Sequence, residues 1–369
     1  MPNAWCDSGL SGRCWPLHVK PYDDELLSSW VVRLSRVYGM EASRFGASIG
    51  RYAAFWNRDI DKGLDDNLVE SLSDRTATSP ARALETTFSG YRGFPIQELY
   101  GNGLSAWILS IGLRGGRRQR SWLQYCPYCL QDDEDPYFRR SWRLVFVTVC
   151  PPHHCRLLDR CAACAAPCNL HQVPSDAHAI TCCYRCQFDA RQAWAPALDH
   201  TAGRHRVMQF QTLLVDALRR GWYPLSQAES VATEDYLAVL RHLGRLLITR
   251  NRAQELRRGF CGHLGEPYFE PSFPSSRGRA IEVLSVADRF ALMRLLGWWL
   301  DDWPDQFVAM CTMAQLTRTD LGRDFPFPPD WYEAAVSQVA RGRFAGMKFP
   351  SYGRASASTS DLAISAERT

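Results

Sequence analysis

Cysteine spacing constrains this chain more than any other feature. Ten of its fourteen cysteines fall between Cys126 and Cys186. Three pairs there share C-x-x-C spacing: Cys126/Cys129, Cys161/Cys164 and Cys183/Cys186. A fourth clamp, Cys150-Pro151-Pro152-His153, lies between the first two. A two-residue gap lets both donors of a tight turn reach one ion, and two clamps complete a four-coordinate zinc site. The pattern predicts two structural Zn2+ ions. Site one is Cys126, Cys129, Cys150 and His153, spaced C-x2-C-x20-C-x2-H. Site two is Cys161, Cys164, Cys183 and Cys186, spaced C-x2-C-x18-C-x2-C. His154 and Cys155 compete for the last position of site one, where spacing favours His153. Cys182 competes with Cys183, but only Cys183 keeps the two-residue gap to Cys186, and Cys168 is a weaker rival. Closed sites supply folding energy and leave no position for a reacting water, which points to a binding or scaffolding protein.

Thiolate ligands need a reducing compartment. Met1 to Leu17 shows no basic segment leading into an apolar stretch, so no secretory signal is read there and a cytoplasmic location is expected. No apolar run reaches the ~18 residues of a membrane span. At 369 residues, with 46% hydrophobic content, the chain has room for two or three domains with ordinary cores. Lys plus Arg is 43 against 39 acids, so a net charge of +4 does not by itself argue for nucleic acid. Arginine nevertheless dominates, with no lysine between Lys62 and Lys348, and arginine suits planar phosphate and base contacts.

The expected fold is mainly α and multi-domain. Residues 16–115 form an N-terminal helical domain, 116–192 a zinc-binding ribbon or knuckle region, 204–345 a C-terminal helical domain and 346–369 a disordered tail. Leu27, Trp30, Val31, Leu34 and Tyr38 share one helical face, with Asp23 as the expected cap and Gly39 as the stop. A second helix over 41–49 gives a helix-turn-helix outline, with a plain helical hairpin as the alternative. Two short helices are expected around Ser79-Pro80. Between the clamps, Trp142, Leu144, Phe146 and Val147 suggest one or two strands, and residues 192–201 read as a linker. Later helices are expected over 204–220, 233–258, 285–301, 305–316 and 330–343. The stretch 233–258 carries a basic face of Arg241, Arg245, Arg250, Arg252, Arg257 and Arg258.

No catalytic motif is found: there is no H-E-x-x-H, no G-x-S-x-G and no zinc-deaminase signature. Asp132-Asp133-Glu134-Asp135 reads as a solvated loop tip, because nothing pairs with it to build a two-metal nuclease site. Gly112 to Arg120 is rich in Gly and Arg but lacks the lysine of a P-loop. Its Arg114, Arg117, Arg118 and Arg120 are the candidate nucleic-acid contacts, with a solvated loop as the alternative.

Taken in order, these residues resemble the TniQ family, which includes the TnsD target selectors of bacterial transposons. Pro21-Tyr22-Asp23-Asp24-Glu25-Leu26-Leu27-Ser28-Ser29-Trp30 is similar to that family's P-x-x-D-E-L-L-S-S-W opening. Cys126-Pro127-Tyr128-Cys129-Leu130 is similar to its C-P-x-C-L knuckle, and Trp142-Arg143, Cys150 to His153 and Leu157 to Cys164 continue the order. The likeness covers about residues 16–190, and Cys155, Cys168 and Cys182 are additions to the pattern. It implies a non-enzymatic transposition protein of the bacterial cytoplasm. Such a protein selects the target site and recruits an AAA+ ATPase regulator and through it the transposase. It does so by binding target DNA or by docking, often as a homodimer, on an RNA-guided Cascade complex of a CRISPR-associated transposon. A zinc-dependent DNA-binding transcription regulator is the alternative.

Overall fold

A computed structural model describes residues 14–49, 55–63, 66–94, 99, 105–109, 123–198, 202–226, 229–249, 252–273 and 280–341. The chain is mainly α, with twelve α-helices and four short strands in two hairpins among the described residues.

Helices α1 (Leu27–Val37) and α2 (Ala42–Ile49) open the fold. One face of α1, with Leu27, Trp30, Val31 and Leu34, is sealed against Phe45 and Ile49 of α2 and against Leu68, Val69 and Leu72 of α3 (Asp66–Thr76). Gly39 ends α1 at φ +60°, where its N–H donates to Arg36 and that of Met40 to Ser35. A left-handed residue costs glycine little. Asp23 does not cap the helix. The N-cap is Leu26, and Asp23 instead pairs with Arg82. The reason lies in the turn before it, where the Glu25 carboxylate accepts from the Tyr22 N–H at 2.9 Å. Helix α4 (Pro80–Leu84) begins as expected, with the Ser79 hydroxyl accepting from Arg82 and Pro80 in the first turn.

A larger hydrophobic cluster runs from Leu26 to Val339 and draws on all three expected segments. Its C-terminal half is α6 (Ala202–Arg220), α7 (Thr233–Ile248), α8 (Ala253–Leu264), α9 (Val286–Trp299), α10 (Asp305–Met313), α11 (Arg318–Gly322) and α12 (Asp330–Val336). Gly297 lets α9 approach α6, since a Cβ there would stand 3.0 Å from the Phe210 ring. The Ser285 hydroxyl caps α9, accepting from the Asp288 N–H.

Several expectations are corrected. The stretch 233–258 is two helices, broken after Ile248. Its arginines do not form one basic face: Arg257 is buried and donates to Leu247 O and Glu270, Arg241 pairs with buried Glu282, and Arg252 donates to Ala314 O and Gln315 O. Arg250 lies outside the described residues. Strands β3 (Trp222–Pro224) and β4 (Ser230–Ala232) form an unanticipated hairpin. Residues 142–147 are not a strand pair. A 3₁₀ turn spans Arg140–Arg143, and the buried segment after it bonds to partners far off in sequence, with Val145 N–H donating to Trp107 O and Thr148 N–H to Gln211. The described part of the expected linker is tied to the metal-site hairpin, where Arg156 donates to Pro196 O and Leu198 to His154 O.

Candidate metal centre

Four turns present the clamp residues. The first opens α5 (Pro127–Asp132): Cys126 is its N-cap, and its sulfur accepts from the Cys129 N–H at 3.5 Å. The second is the loop of a hairpin in which β1 (Val149–Cys150) pairs with β2 (Cys155–Arg156), setting Cys150 opposite Cys155. The remaining two are Cys161 to Ala165 and Cys183 to Gln187. The last three turns share one construction. The N–H four residues after each first cysteine returns to that cysteine's carbonyl, from His154 to Cys150 at 2.8 Å, Ala165 to Cys161 at 3.0 Å and Gln187 to Cys183 at 2.9 Å. Each closing residue is left-handed, at φ +50°, +56° and +61° respectively. None is glycine, and a left-handed residue with a Cβ costs about 1–2 kcal/mol. Turns strained alike at three places show what the chain tolerates to aim its donors.

The first cluster brings together Cys126, Cys129, Cys150 and His153. His153 Nδ1 lies 3.6, 3.3 and 3.4 Å from the three sulfurs in that order, and Cys129 Sγ lies 3.4 Å from Cys150 Sγ. A tetrahedron built on Zn–S and Zn–N bonds has edges of about 3.8 Å between sulfurs and about 3.6 Å from sulfur to nitrogen. The donor set fits one ion. His153 Nε2 meets Asp132 Oδ2 at 2.8 Å, the carboxylate contact that fixes the ring so that Nδ1 faces the sulfurs.

In the second cluster, Cys161, Cys164, Cys183 and Cys186 converge, with Cys161 3.6 Å from Cys186 and Cys164 3.6 Å from Cys183. All eight residues named from spacing thus fall into two groups able to hold a metal ion. Cys182 faces away from its neighbour's cluster. It joins His178 and Asp189, with its sulfur 3.4 Å from His178 Nδ1. Asp189 is committed elsewhere: Oδ2 accepts from Arg191 and His178, and Oδ1 accepts from Thr181. Burial opposes its charge, but these donors hold the carboxyl well below the usual range.

Spacing missed Asp132, although it stands three residues after Cys129 on one helix and so shares its face. The acidic run is largely exposed, as expected of a solvated tip, but three of its carboxylates are paired. Asp132 meets His153, Asp133 forms a two-pronged pair with Arg139, and Asp135 pairs with Arg33 at 2.6 Å. Arg114, Arg117, Arg118 and Arg120 lie outside the described residues.

The N-terminal helices are locked to this region through buried polar groups. Asp61 accepts from the Ser28 N–H and hydroxyl and pairs with Arg143 Nη1 at 2.6 Å, while Asp59 takes both Nη atoms of Arg143. Glu25 pairs with Arg33 at 2.8 Å and accepts from Ser29, whose hydroxyl accepts from the Phe138 N–H. Burial pushes the Glu25 carboxyl up to about 7, against the pull of Arg33. Glu25, Ser28 and Ser29 of the opening signature therefore serve to dock α1 on the segment between the clamps.

No curated protein matches the chain. The TniQ family model matches residues 16–157, which run from the segment before α1 through the complete first cluster to the end of its hairpin. Over those residues the chain carries a TniQ domain, the domain of a transposition-associated family.

Proposed function

We propose that the chain is a non-catalytic target-selection adaptor of bacterial transposition. It chooses the insertion site and recruits an AAA+ ATPase regulator, which engages the transposase. It reaches the site by binding target DNA, by docking on a guide-RNA Cascade complex, or by both. Its two clusters hold Zn2+ as structural ions, and the ions' role is to tie the clamp turns together.

The observation that carries this reading is the TniQ match over residues 16–157, within which the signature residues and a four-donor cluster form one packed unit. Two features support a scaffold over an enzyme. Each cluster supplies four protein donors, which leaves no open position for a substrate or water. The carboxylates beside them, Asp132, Asp133 and Asp135, are each engaged by a histidine or arginine. No described helix is long and apolar enough to cross a membrane.

The test is duplex binding by the zinc-loaded protein at two salt concentrations, followed by capture of the ATPase on the same DNA. Site-preferring affinity with ATPase recruitment supports direct selection. Weak affinity that vanishes in salt, with capture only when Cascade is present, supports guided docking. Tight binding to one operator with no ATPase capture would replace the adaptor reading with a transcription regulator.

A further inference from the structure

We propose that Cys155 is a fifth donor of the first metal centre, so that either His153 or Cys155 completes the set with Cys126, Cys129 and Cys150. The inference rests on the reading that this cluster binds zinc.

Cys155 Sγ lies 3.6 Å from Cys126 Sγ, the same separation as His153 Nδ1 keeps from that sulfur. Both distances match an edge of a tetrahedral zinc site. The hairpin sets Cys155 directly across from Cys150, so the two thiols stand on facing strands of one short ladder. One hairpin thus carries Cys150 and His153 into the four-donor group and sets Cys155 beside it, against Cys126. The two candidates approach from different environments. His153 is half-buried, and its far nitrogen reaches a surface carboxylate, Asp132. Cys155 is 1% exposed, and its backbone is bridged to Ala197 on the other side of β2.

A buried thiol at this distance from a ligand sulfur has two chemical roles open to it. As a thiol it donates a weak hydrogen bond to the Cys126 thiolate. As a thiolate it binds the ion directly, in which case one proton leaves the sulfur to solvent and the histidine nitrogen is released. Zinc accepts three sulfurs and one nitrogen, or four sulfurs, in the same tetrahedral geometry. The arrangement therefore gives the centre an outer histidine and an inner reserve thiol, and the ion stays bound when the histidine is displaced.

The test uses the full chain as wild type, His153→Ala, Cys155→Ser and the double variant. It measures zinc per chain and, after cobalt substitution, the thiolate-to-metal absorption. Circular dichroism on each variant reports folding. Wild type and Cys155→Ser should carry two ions. His153→Ala should also carry two, with absorption increased by the share of one thiolate. The double variant should carry one. The proposal is overturned if His153→Ala alone drops to one ion, or keeps two with unchanged thiolate absorption because water fills the position. A folded wild type with fewer than two ions would defeat the zinc reading itself and this proposal with it. Two ions in wild type but one in His153→Ala would defeat the proposal alone.

Discussion

Replacing Arg143 with methionine tests the claim that a buried ion pair holds the N-terminal helices on the metal-binding region. Arg143 and Asp61 have side chains 1% and 0% exposed, and Nη1 sits 2.6 Å from Asp61 Oδ2. The same guanidinium meets Asp59 at 2.7 Å and gives two hydrogen bonds to the Leu109 carbonyl. Methionine fills much of the volume but leaves the Asp61 charge with only the Ser28 donors. Removing one partner of a buried pair costs about 3–5 kcal/mol. In a unit of this size that is a fall of roughly 10 °C in melting temperature.

The loss should depend on pH. Burial, opposed by Arg143, raises the Asp61 carboxyl from 3.8 to about 6. The folded state therefore keeps a proton that the unfolded chain releases between those values. This contribution to stability is full below 3.8 and declines as pH rises through about 6. Without Arg143 the folded-state value rises further, and each extra pH unit is worth about 1.4 kcal/mol per proton. The destabilisation should be largest near pH 8 and shrink to about 2 kcal/mol near pH 5. Urea unfolding followed by tryptophan fluorescence at both pH values gives the numbers. A loss below about 1 kcal/mol, or one equal at both pH values, would refute the reasoning.

Three further outcomes follow from the metal-binding turns. Ala165→Gly and Gln187→Gly should each raise the melting temperature of the zinc-loaded protein, because glycine relieves about 1 kcal/mol of left-handed strain, in part offset by its freer unfolded chain. Asp132→Asn should weaken the first centre's metal affinity 10- to 100-fold in a chelator competition while leaving the second centre unchanged. Removing metal with a strong chelator should expose backbone amides over residues 123–198 in hydrogen exchange, since the clamp turns lose the contribution, on the order of 10 kcal/mol, that an ion supplies to such small structures.

The donor sets were legible because zinc imposes a spacing that survives in the sequence: two clamps of two-residue gap, twice. The Gly39 stop of α1 and the Ser79-Pro80 corner were legible for a similar reason, since each is set by neighbours in the chain. What spacing cannot carry is who meets whom across the fold. Thr148 and Gln211 are bonded through a side chain sixty-three positions away. Segment 142–147 therefore looked like a strand from its apolar content, yet its bonds go elsewhere and its residues are buried on every side. Arg257 looked like part of a basic face and proves to be a buried support. The exposed acidic run hid its pairing because two of its partners, Arg33 and His153, lie a hundred residues before it and on the next clamp. In the signature the same logic runs the other way. Glu25 just before the helix and Ser28 and Ser29 in its first turn are buried polar residues, and such residues need partners that only the folded chain supplies.

The most direct test of the account is a reconstituted transposition reaction containing transposase, AAA+ ATPase, donor and target DNA, with this chain added or left out, and Cascade with guide RNA supplied in a parallel arm. The account predicts that adding the zinc-loaded chain concentrates insertions at one target position, and that the chain alone with Mg2+ cuts no DNA. Unchanged insertion patterns when it is omitted from both arms, or strand cleavage by the chain alone, would contradict it.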